Sequence, residues 1–66
     1  MIISVNGEKT ALDQPCTVRD LLSQNKLASA ICAVEVNRTL VPKKQRETTM
    51  LNDGDAVEIV TLVGGG

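Results

Sequence analysis

The stretch that decides the fold is Ala56-Val57-Glu58-Ile59-Val60-Thr61-Leu62-Val63, and three glycines, Gly64-Gly65-Gly66, follow it. Its apolar, alternating pattern predicts a strand with a central place in a sheet. Glu58 indicates which face of this strand is exposed to solvent, because burying an unpaired carboxylate carries a penalty of several kcal/mol. We therefore expect Val57, Ile59 and Thr61 to face the core, and Glu58, Val60 and Leu62 to lie on the opposite, open face.

The three glycines predict a flexible, slender tail, since glycine has no Cβ. Such a tail can pass through a slot too narrow for any side chain, and it presents an unhindered carboxylate at Gly66. We interpret that carboxylate as the working group, residues 1–63 as the domain that presents it, and residues 64–66 as the flexible tail. The alternative is a chain end that frays without a function.

The first half of the chain predicts a β-hairpin followed by a helix. Asn6-Gly7 is a strong two-residue turn between strands at residues 1–6 and 8–12, because both central positions need positive φ. Pro15 then breaks the strand pattern. Thr17 is a good N-cap, and Asp20 follows three residues later as in a capping box. Apolar residues at helical spacing predict about two turns that pack on the sheet.

Two more strands are predicted before the last one. Glu35 must face water, so the alternating residues Cys32, Val34 and Val36 face the core. A turn at 37–38 leads into a short strand at 39–41. The polar segment that follows contains Lys43-Lys44-Gln45-Arg46 and is interpreted as a solvated loop or helical turn, with partner binding as the alternative. The predicted fold is α+β: a mixed sheet of four to five strands with one main helix on one face.

Length and composition exclude several classes of function. At 66 residues the chain is one domain whose small core leaves no room for a sizeable internal cavity. The chain has no His, the commonest general base and metal ligand, and no Phe, Tyr or Trp on which bases could stack. With a net charge of −1 it also lacks the basic face that nucleic acids require.

The same reasoning predicts a cytoplasmic protein with reduced thiols. No apolar run approaches the ~20 residues of a membrane span, and the N-terminus lacks the features of a signal peptide. The two cysteines, Cys16 and Cys32, are therefore expected to be free. Cys16 lies just before the helix start, where a thiolate could be favoured. A structural packing role is nevertheless the preferred interpretation for both.

The open face of the last strand is a candidate partner-binding patch. Val60 and Leu62 flank Glu58 on the strand that leads to the tail, and Ile2 could extend this patch from the neighbouring strand. Contiguous exposed apolar side chains on a small protein often mark an interaction surface. The alternative is that these are ordinary scattered aliphatic residues.

Several motifs resemble one known family. The hairpin, the capped helix, the Gly54-Asp55 turn and the terminal Gly65-Gly66 resemble the ubiquitin-like β-grasp fold. More narrowly, three stretches resemble the ThiS sulfur carriers of thiamine biosynthesis: Ala33-Val34-Glu35-Val36-Asn37, Leu40-Val41-Pro42 and Asp53-Gly54-Asp55-Ala56-Val57-Glu58-Ile59. The family pattern needs a terminal Gly-Gly, and the additional Gly64 is a variation on it.

This resemblance implies a carrier rather than an enzyme. A ThiF-type adenylyltransferase would use its own ATP and magnesium to adenylate the Gly66 carboxylate, with Gly64 and Gly65 threading the tail into the partner. A cysteine desulfurase-derived donor would then supply sulfur, giving a thiocarboxylate that a ThiG-type thiazole synthase consumes. The carrier itself would bind no cofactor or metal, and it would partner neither nucleic acid nor membrane.

Three alternatives share some of these features. Sulfur carriers for molybdopterin have the same fold and Gly-Gly end but are usually longer between the helix and the last strand. A ubiquitin-like modifier would instead be joined through Gly66 to lysines of target proteins. A passive binding module would keep its activity after Gly66 is removed.

Overall fold

The computed structural model describes residues 1–27 and 31–61 and contains a five-stranded mixed sheet with one α-helix. The elements are β1 (Ile2–Val5), β2 (Glu8–Ala11), α1 (Val18–Gln24), β3 (Cys32–Val36), β4 (Thr39–Leu40), a 3₁₀ helix (Lys43–Gln45) and β5 (Ala56–Thr61). The sheet order is β2-β1-β5-β3-β4. This confirms the predicted fold, including the central position of the last strand. The helices in the described ranges lack the length and hydropathy of a bilayer-crossing segment.

The β1–β2 hairpin follows from its turn residues. Asn6 and Gly7 both have positive φ, 51° and 86°, as a two-residue hairpin turn requires. β1 pairs with β2 in antiparallel register from Ile2 opposite Ala11 to Val5 opposite Glu8. The turn therefore sets which β1 side chains face the core, and Ile3 is buried at 1% exposure.

Helix α1 begins with the predicted capping box. The backbone N–H of Asp20 donates to Thr17 Oγ1 at 3.1 Å, and the backbone N–H of Thr17 donates to Asp20 Oδ2 at 3.0 Å. Two of the four unpaired donors at the helix start are thereby satisfied. Three apolar side chains face the sheet and are buried: Val18, Leu21 and Leu22.

The end of α1 is closed by backbone hydrogen bonds around a left-handed residue. Lys26 has φ 61°, its N–H donates to Ser23 O at 3.0 Å, and the N–H of Leu27 donates to Leu22 O at 2.7 Å. This pair of bonds is the Schellman pattern, with lysine at the position where glycine is usual. The left-handed conformation of Lys26 ends the helix after two turns, and these two hydrogen bonds satisfy carbonyls of its last turn.

The core lies between α1 and the inner face of the sheet. Its buried members are Ile3, Leu12, Cys16, Val18, Leu21, Leu22, Val34, Val41, Leu51, Val57 and Ile59, and Cys32 and Val36 pack against it. The predicted inward faces of β3 and β5 are confirmed in the described residues. Thr61, also predicted to face inward, is half-buried.

Candidate functional site

Strand β5 leads to the predicted tail and is held between two neighbours. It pairs in parallel with β1 and in antiparallel with β3, where the register runs from Val36 opposite Val57 to Cys32 opposite Thr61. Leu62, Gly64, Gly65 and Gly66, which the sequence analysis placed in the site, lie outside the described residues. The structure describes the strand that precedes them in the sequence, as far as Thr61.

Two asparagine side chains brace β5 from opposite sides. Asn6, at the end of β1, accepts from the Ile59 backbone N–H at 2.8 Å and donates to Ile59 O at 3.2 Å. Asn37, at the end of β3, accepts from the Ala56 N–H at 3.0 Å. Both asparagines have positive φ, 51° and 52°. Each asparagine therefore closes a tight turn. Its side-chain amide also hydrogen-bonds to the backbone of β5, just after the last paired residue of the neighbouring strand.

Asp55 anchors the start of β5 from within the domain. The residue is 9% exposed, and its carboxylate accepts from Asn37 Nδ2 at 2.9 Å and from the Asn52 N–H at 2.7 Å. A buried carboxylate needs such donors, because an unpaired one would destabilise the fold. The Gly-Asp motif quoted for the family resemblance is thus a structural clamp on the strand that precedes the tail.

The open sheet face around Val60 is wider than sequence reasoning indicated. Val60 is 60% exposed and lies opposite Ala33, which is also exposed. One step back along the strands, Glu58 lies opposite Glu35, and Glu35 lies opposite Leu40 of β4, which is 59% exposed. The register therefore brings together an apolar and acidic surface made of Ala33, Glu35, Leu40, Glu58 and Val60, which we call the open-face patch.

Sequence reasoning placed Ala33 and Glu35 on this side of β3, but it did not identify them or Leu40 as part of the site. The alternation within one strand shows only which side chains share a face. Which residue lies opposite Glu58 depends on the pairing of strands that are distant in sequence. A cross-strand register prediction would have been needed to find Glu35 and Leu40.

Ile2 does not extend this patch, which corrects the expectation from the sequence. It is 53% exposed on the open face, but Ser4 is level with Ala56, so Ile2 lies level with Gly54. The Gly54 N–H donates to Ile2 O at 2.8 Å, consistent with that register. Val60 is therefore roughly 20 Å further along the strand direction, at about 3.3 Å per residue. The parallel pairing of β1 with the start of β5 is the reason.

The basic segment lies at the sheet end where the described part of β5 stops. Arg46 donates from Nη2 to Cys32 O at 2.6 Å, and Cys32 is the residue opposite Thr61. Lys43 and Lys44 are exposed on the 3₁₀ helix. The predicted helical turn is confirmed, and Arg46 has a structural contact with the start of β3.

Neither cysteine forms a disulfide, as expected. Cys16 and Cys32 are free, and Cys16 is buried at 5% exposure. Burial raises the pKa of the Cys16 thiol above its ordinary value, and the negative charge of Asp20 raises this pKa further. The idea that the helix start favours a Cys16 thiolate is therefore wrong, because desolvation and the capping carboxylate both oppose the anion. In residues 1–27 and 31–61 no three His, Cys, Asp or Glu side chains are grouped as a metal would require.

Comparisons with known proteins agree with this architecture. The crystal structure of the thiamine biosynthesis protein (ThiS) from Geobacter metallireducens superposes with a TM-score of 0.84 at 36% sequence identity, covering 100% of both chains. The sulfur carrier protein ThiS of Bacillus subtilis is 40% identical over 50 residues, which is 76% of this chain and 76% of that protein.

A longer protein contains a related segment. The whole of this chain aligns at 39% identity with a part of the thiazole synthase of Paramagnetospirillum magneticum, and that part makes up 20% of that protein. The model of the ThiS family matches residues 2–66. With the β-grasp sheet, the capped helix and the family match over nearly every residue, the chain belongs to the ThiS family, the family of the Bacillus subtilis sulfur carrier.

Proposed function

We propose that this chain is a sulfur carrier of thiamine biosynthesis whose Gly66 carboxylate is adenylated and then converted to a thiocarboxylate. The observation that carries the proposal is the family match over residues 2–66, which includes the three glycines at the end of the sequence. Members of this family are small carriers rather than enzymes. In this proposal the domain presents the tail to partner enzymes, and those enzymes carry out the adenylation and the sulfur transfer.

The chemistry requires activation because a free carboxylate is a poor acylating group. A carboxylate oxygen of Gly66 attacks the α-phosphate of ATP, pyrophosphate leaves, and the carboxyl carbon then carries AMP as a leaving group. The terminal sulfur of a persulfide on a cysteine desulfurase-derived donor attacks this carbon and displaces AMP, which gives an acyl disulfide. A thiol then attacks the donor's sulfur of that bond, forms a disulfide with the donor and releases the C-terminal thiocarboxylate. ATP and magnesium belong to the adenylating partner, so none of these steps uses a base or metal ligand of the carrier.

Gly64 and Gly65 are proposed to let the tail lie extended in the channel of the adenylating enzyme. Backbone groups of an extended segment can pair there as an added strand would. The braced position of β5 supports this role, since Asn6 and Asn37 hold both sides of the strand that leads to the tail. A rigid strand ending in a slender tail loses less conformational entropy on binding than a wholly disordered segment.

Thiazole synthase is the proposed consumer of the thiocarboxylate. The support is the thiazole synthase of P. magneticum, which contains a segment related to the whole of this chain. Joining two proteins in one chain raises the effective concentration of each for the other. A carrier and the enzyme that uses its sulfur are a natural pair for such an arrangement.

The test is reconstitution with purified partners followed by intact mass measurement. The chain, the adenylating enzyme, ATP, magnesium, a cysteine desulfurase and cysteine are expected to give the mass increase of one oxygen replaced by sulfur. Alkylation of the thiocarboxylate, with Cys16 and Cys32 replaced by alanine, distinguishes this product from a modified thiol. A variant that lacks both Gly65 and Gly66, and so has no terminal Gly-Gly, is expected to show no mass change and no thiazole formation. Thiazole formation by that variant would overturn the proposal.

A further inference from the structure

A groove rich in positive charge lies beside the start of α1, on the helix side of the sheet. It is open to solvent and has a volume of about 560 Å³. Its lining residues come from α1 and from the 3₁₀ helix with its flanks: Arg19, Pro42, Lys43, Lys44 and Glu47. We call these five residues the basic groove. Three of the chain's seven Lys and Arg residues line it, and Arg46 is on the same segment.

Hydrogen bonds hold the two walls of the basic groove together. The Val18 N–H donates to Thr49 O at 2.9 Å. The Arg19 N–H donates to Arg46 O at 3.0 Å. Both are donors at the helix start that have no acceptor within α1 itself. The groove therefore has a fixed shape in the free chain, and a partner that binds it has little backbone to order.

The charge of the basic groove is only partly compensated. Arg19 and Glu47 form an ion pair at 2.8 Å, with side chains that are 57% and 66% exposed. Lys43 and Lys44 are exposed, and neither forms an ion pair within residues 1–27 and 31–61. Two positive charges thus remain available to a ligand on one small surface.

The chemistry of the groove selects among possible occupants. A small inorganic anion gains little there, because the wall is mostly apolar and open to water. A nucleic acid would meet no aromatic side chain, since the chain has none, and would approach a chain of net charge −1. An extended protein segment with acidic side chains fits, because its carboxylates can pair with the lysines while its apolar atoms cover Pro42 and the lysine stems.

The basic groove lies at the sheet end that precedes the tail in sequence. Arg46 donates from Nη2 to Cys32 O at 2.6 Å, and Cys32 is opposite Thr61 of β5. The open-face patch is on the other side of the sheet from α1. One partner on the open-face patch and a second partner in the basic groove can therefore be bound at the same time, both at the end of the sheet near Thr61.

The proposed reaction needs two partners at once. The acyl adenylate of Gly66 is open to hydrolysis unless the adenylating enzyme keeps water from it. Sulfur is therefore best delivered while the carrier is still bound to that enzyme. The protein that brings the sulfur then needs a surface of the carrier that the adenylating enzyme leaves uncovered.

We propose that the basic groove binds an acidic segment of the protein that delivers sulfur to Gly66. Lys43 and Lys44 pair with carboxylates of that segment, and Pro42 contacts its apolar atoms. The groove takes no part in the chemical steps, and its residues are positioning residues for the sulfur transfer. The inference rests on the proposed function, because that function supplies the need for a sulfur-delivering protein.

The test uses the full chain in the reconstituted system, with the cysteine desulfurase at a limiting concentration. Lys43→Gln/Lys44→Gln removes both free charges of the groove. The matched control is Lys9→Gln/Arg38→Gln, which removes two exposed positive charges outside the groove. Glu47→Gln is the variant of opposite sign, since it frees Arg19 from its ion pair. Pyrophosphate release measures adenylation, intact mass measures sulfur transfer, and thermal unfolding checks each fold.

Adenylation is expected to be the same in all variants, and sulfur transfer is expected to differ. Lys43→Gln/Lys44→Gln should slow transfer by about fivefold or more at limiting desulfurase and recover at saturating desulfurase. Glu47→Gln should speed transfer at limiting desulfurase. High salt should slow transfer in the wild type more than in Lys43→Gln/Lys44→Gln. A glutamate-rich peptide should inhibit transfer more than inorganic phosphate does at the same ionic strength.

Four results would overturn the inference. Transfer by Lys43→Gln/Lys44→Gln that matches the control would do so and leave the proposed function intact. Slow adenylation of that variant would assign the groove to the adenylating enzyme instead. Equal inhibition by phosphate and peptide would make it a site for small anions. A wild-type chain that is not adenylated would overturn the proposed function, and this inference with it.

Discussion

Asn37 and Asp55 form the central link between the hairpin of β3 and β4 and the strand that leads to the tail. Asn37 Nδ2 donates to Asp55 Oδ1 at 2.9 Å, while Asn37 Oδ1 accepts from the Ala56 N–H at 3.0 Å. The same residue also takes up a left-handed conformation with φ 52°. One amide side chain therefore satisfies a buried carboxylate and a strand N–H at once.

We expect Asn37→Gly to destabilise the domain by about 1–3 kcal/mol, because it removes a donor from a buried carboxylate. Glycine keeps the positive φ at no steric cost, so the loss reports the amide itself. Urea unfolding measures the effect. Asn37→Ala should cost more than Asn37→Gly, since it adds the strain of the left-handed backbone. Equal stability of wild type and Asn37→Gly would show that the clamp contributes nothing.

The two hairpin turns predict opposite effects for a pair of substitutions. Arg38 has φ 69° at the position where the first hairpin has Gly7 with φ 86°. Arg38→Gly should stabilise the domain by about 0.5–1 kcal/mol, because relief of the left-handed strain exceeds the entropic cost of glycine.

Gly7→Ala is the matched change and should destabilise by about 1–2 kcal/mol. Among the described residues, no atom outside Asn6, Gly7 and Glu8 lies within 4 Å of the position that the new Cβ would take, so the cost comes from the backbone. Thermal unfolding of both variants beside the wild type measures the two effects. A destabilised Arg38→Gly variant would mean that the Arg38 side chain makes a stabilising contact.

Burial of Cys16 predicts a loss of stability at alkaline pH. The pKa of its thiol is raised above the ordinary value of 9.0, so the unfolded chain releases this proton at lower pH than the folded chain. The stability tied to the neutral thiol is thus complete below pH 9.0 and falls as pH rises through the folded pKa.

Guanidinium unfolding in the presence of a reductant, from neutral to alkaline pH, measures this dependence. Cys32→Ala should keep the fall, because Cys16 is still present. Cys16→Ala should be less stable at neutral pH, since it leaves a small cavity, but should lose the part of the fall that belongs to this thiol. The same slope in Cys16→Ala and wild type would assign the fall to other groups.

The two faces of β5 predict different consequences for adjacent substitutions to aspartate. Val60 is 60% exposed and Ile59 is 8% exposed. Val60→Asp should change the free energy of unfolding by less than about 1 kcal/mol, yet weaken binding to the adenylating enzyme. Ile59→Asp should unfold the domain, because it buries an unpaired charge. Circular dichroism and a binding titration separate the two outcomes, and melting of Val60→Asp would contradict the assigned faces.

Side chains added at Gly65 should block adenylation in proportion to their size. Gly65→Ala is expected to slow the formation of acyl adenylate, and Gly65→Val to abolish it, because a branched side chain does not fit a slot shaped for glycine. Pyrophosphate release measures the step, and thermal unfolding checks that each variant is folded. Normal adenylation of Gly65→Val would argue against a narrow channel.

Much of the fold follows from local signals. The alternation in β3 and β5 predicted their inward residues, Asn6-Gly7 predicted the first hairpin, and Thr17 with Asp20 predicted the helix start. Each of these signals acts over a few residues, where backbone geometry and capping bonds depend on the local sequence. The residues of the open face were harder to identify, because no local signal shows which residues of different strands become neighbours.

The sequence by itself determined that this chain forms one small domain of strands with one main helix and carries Gly64-Gly65-Gly66, because periodicity, turns and caps are local properties. Only the tertiary structure decided which side chains meet on the open face. Parallel pairing of β1 with the start of β5 places Ile2 far from Val60 along the strand direction. Antiparallel pairing of β3 with β5 places Glu35 directly opposite Glu58. Strand register depends on contacts between residues more than twenty positions apart, so it emerges only when the whole sheet is assembled.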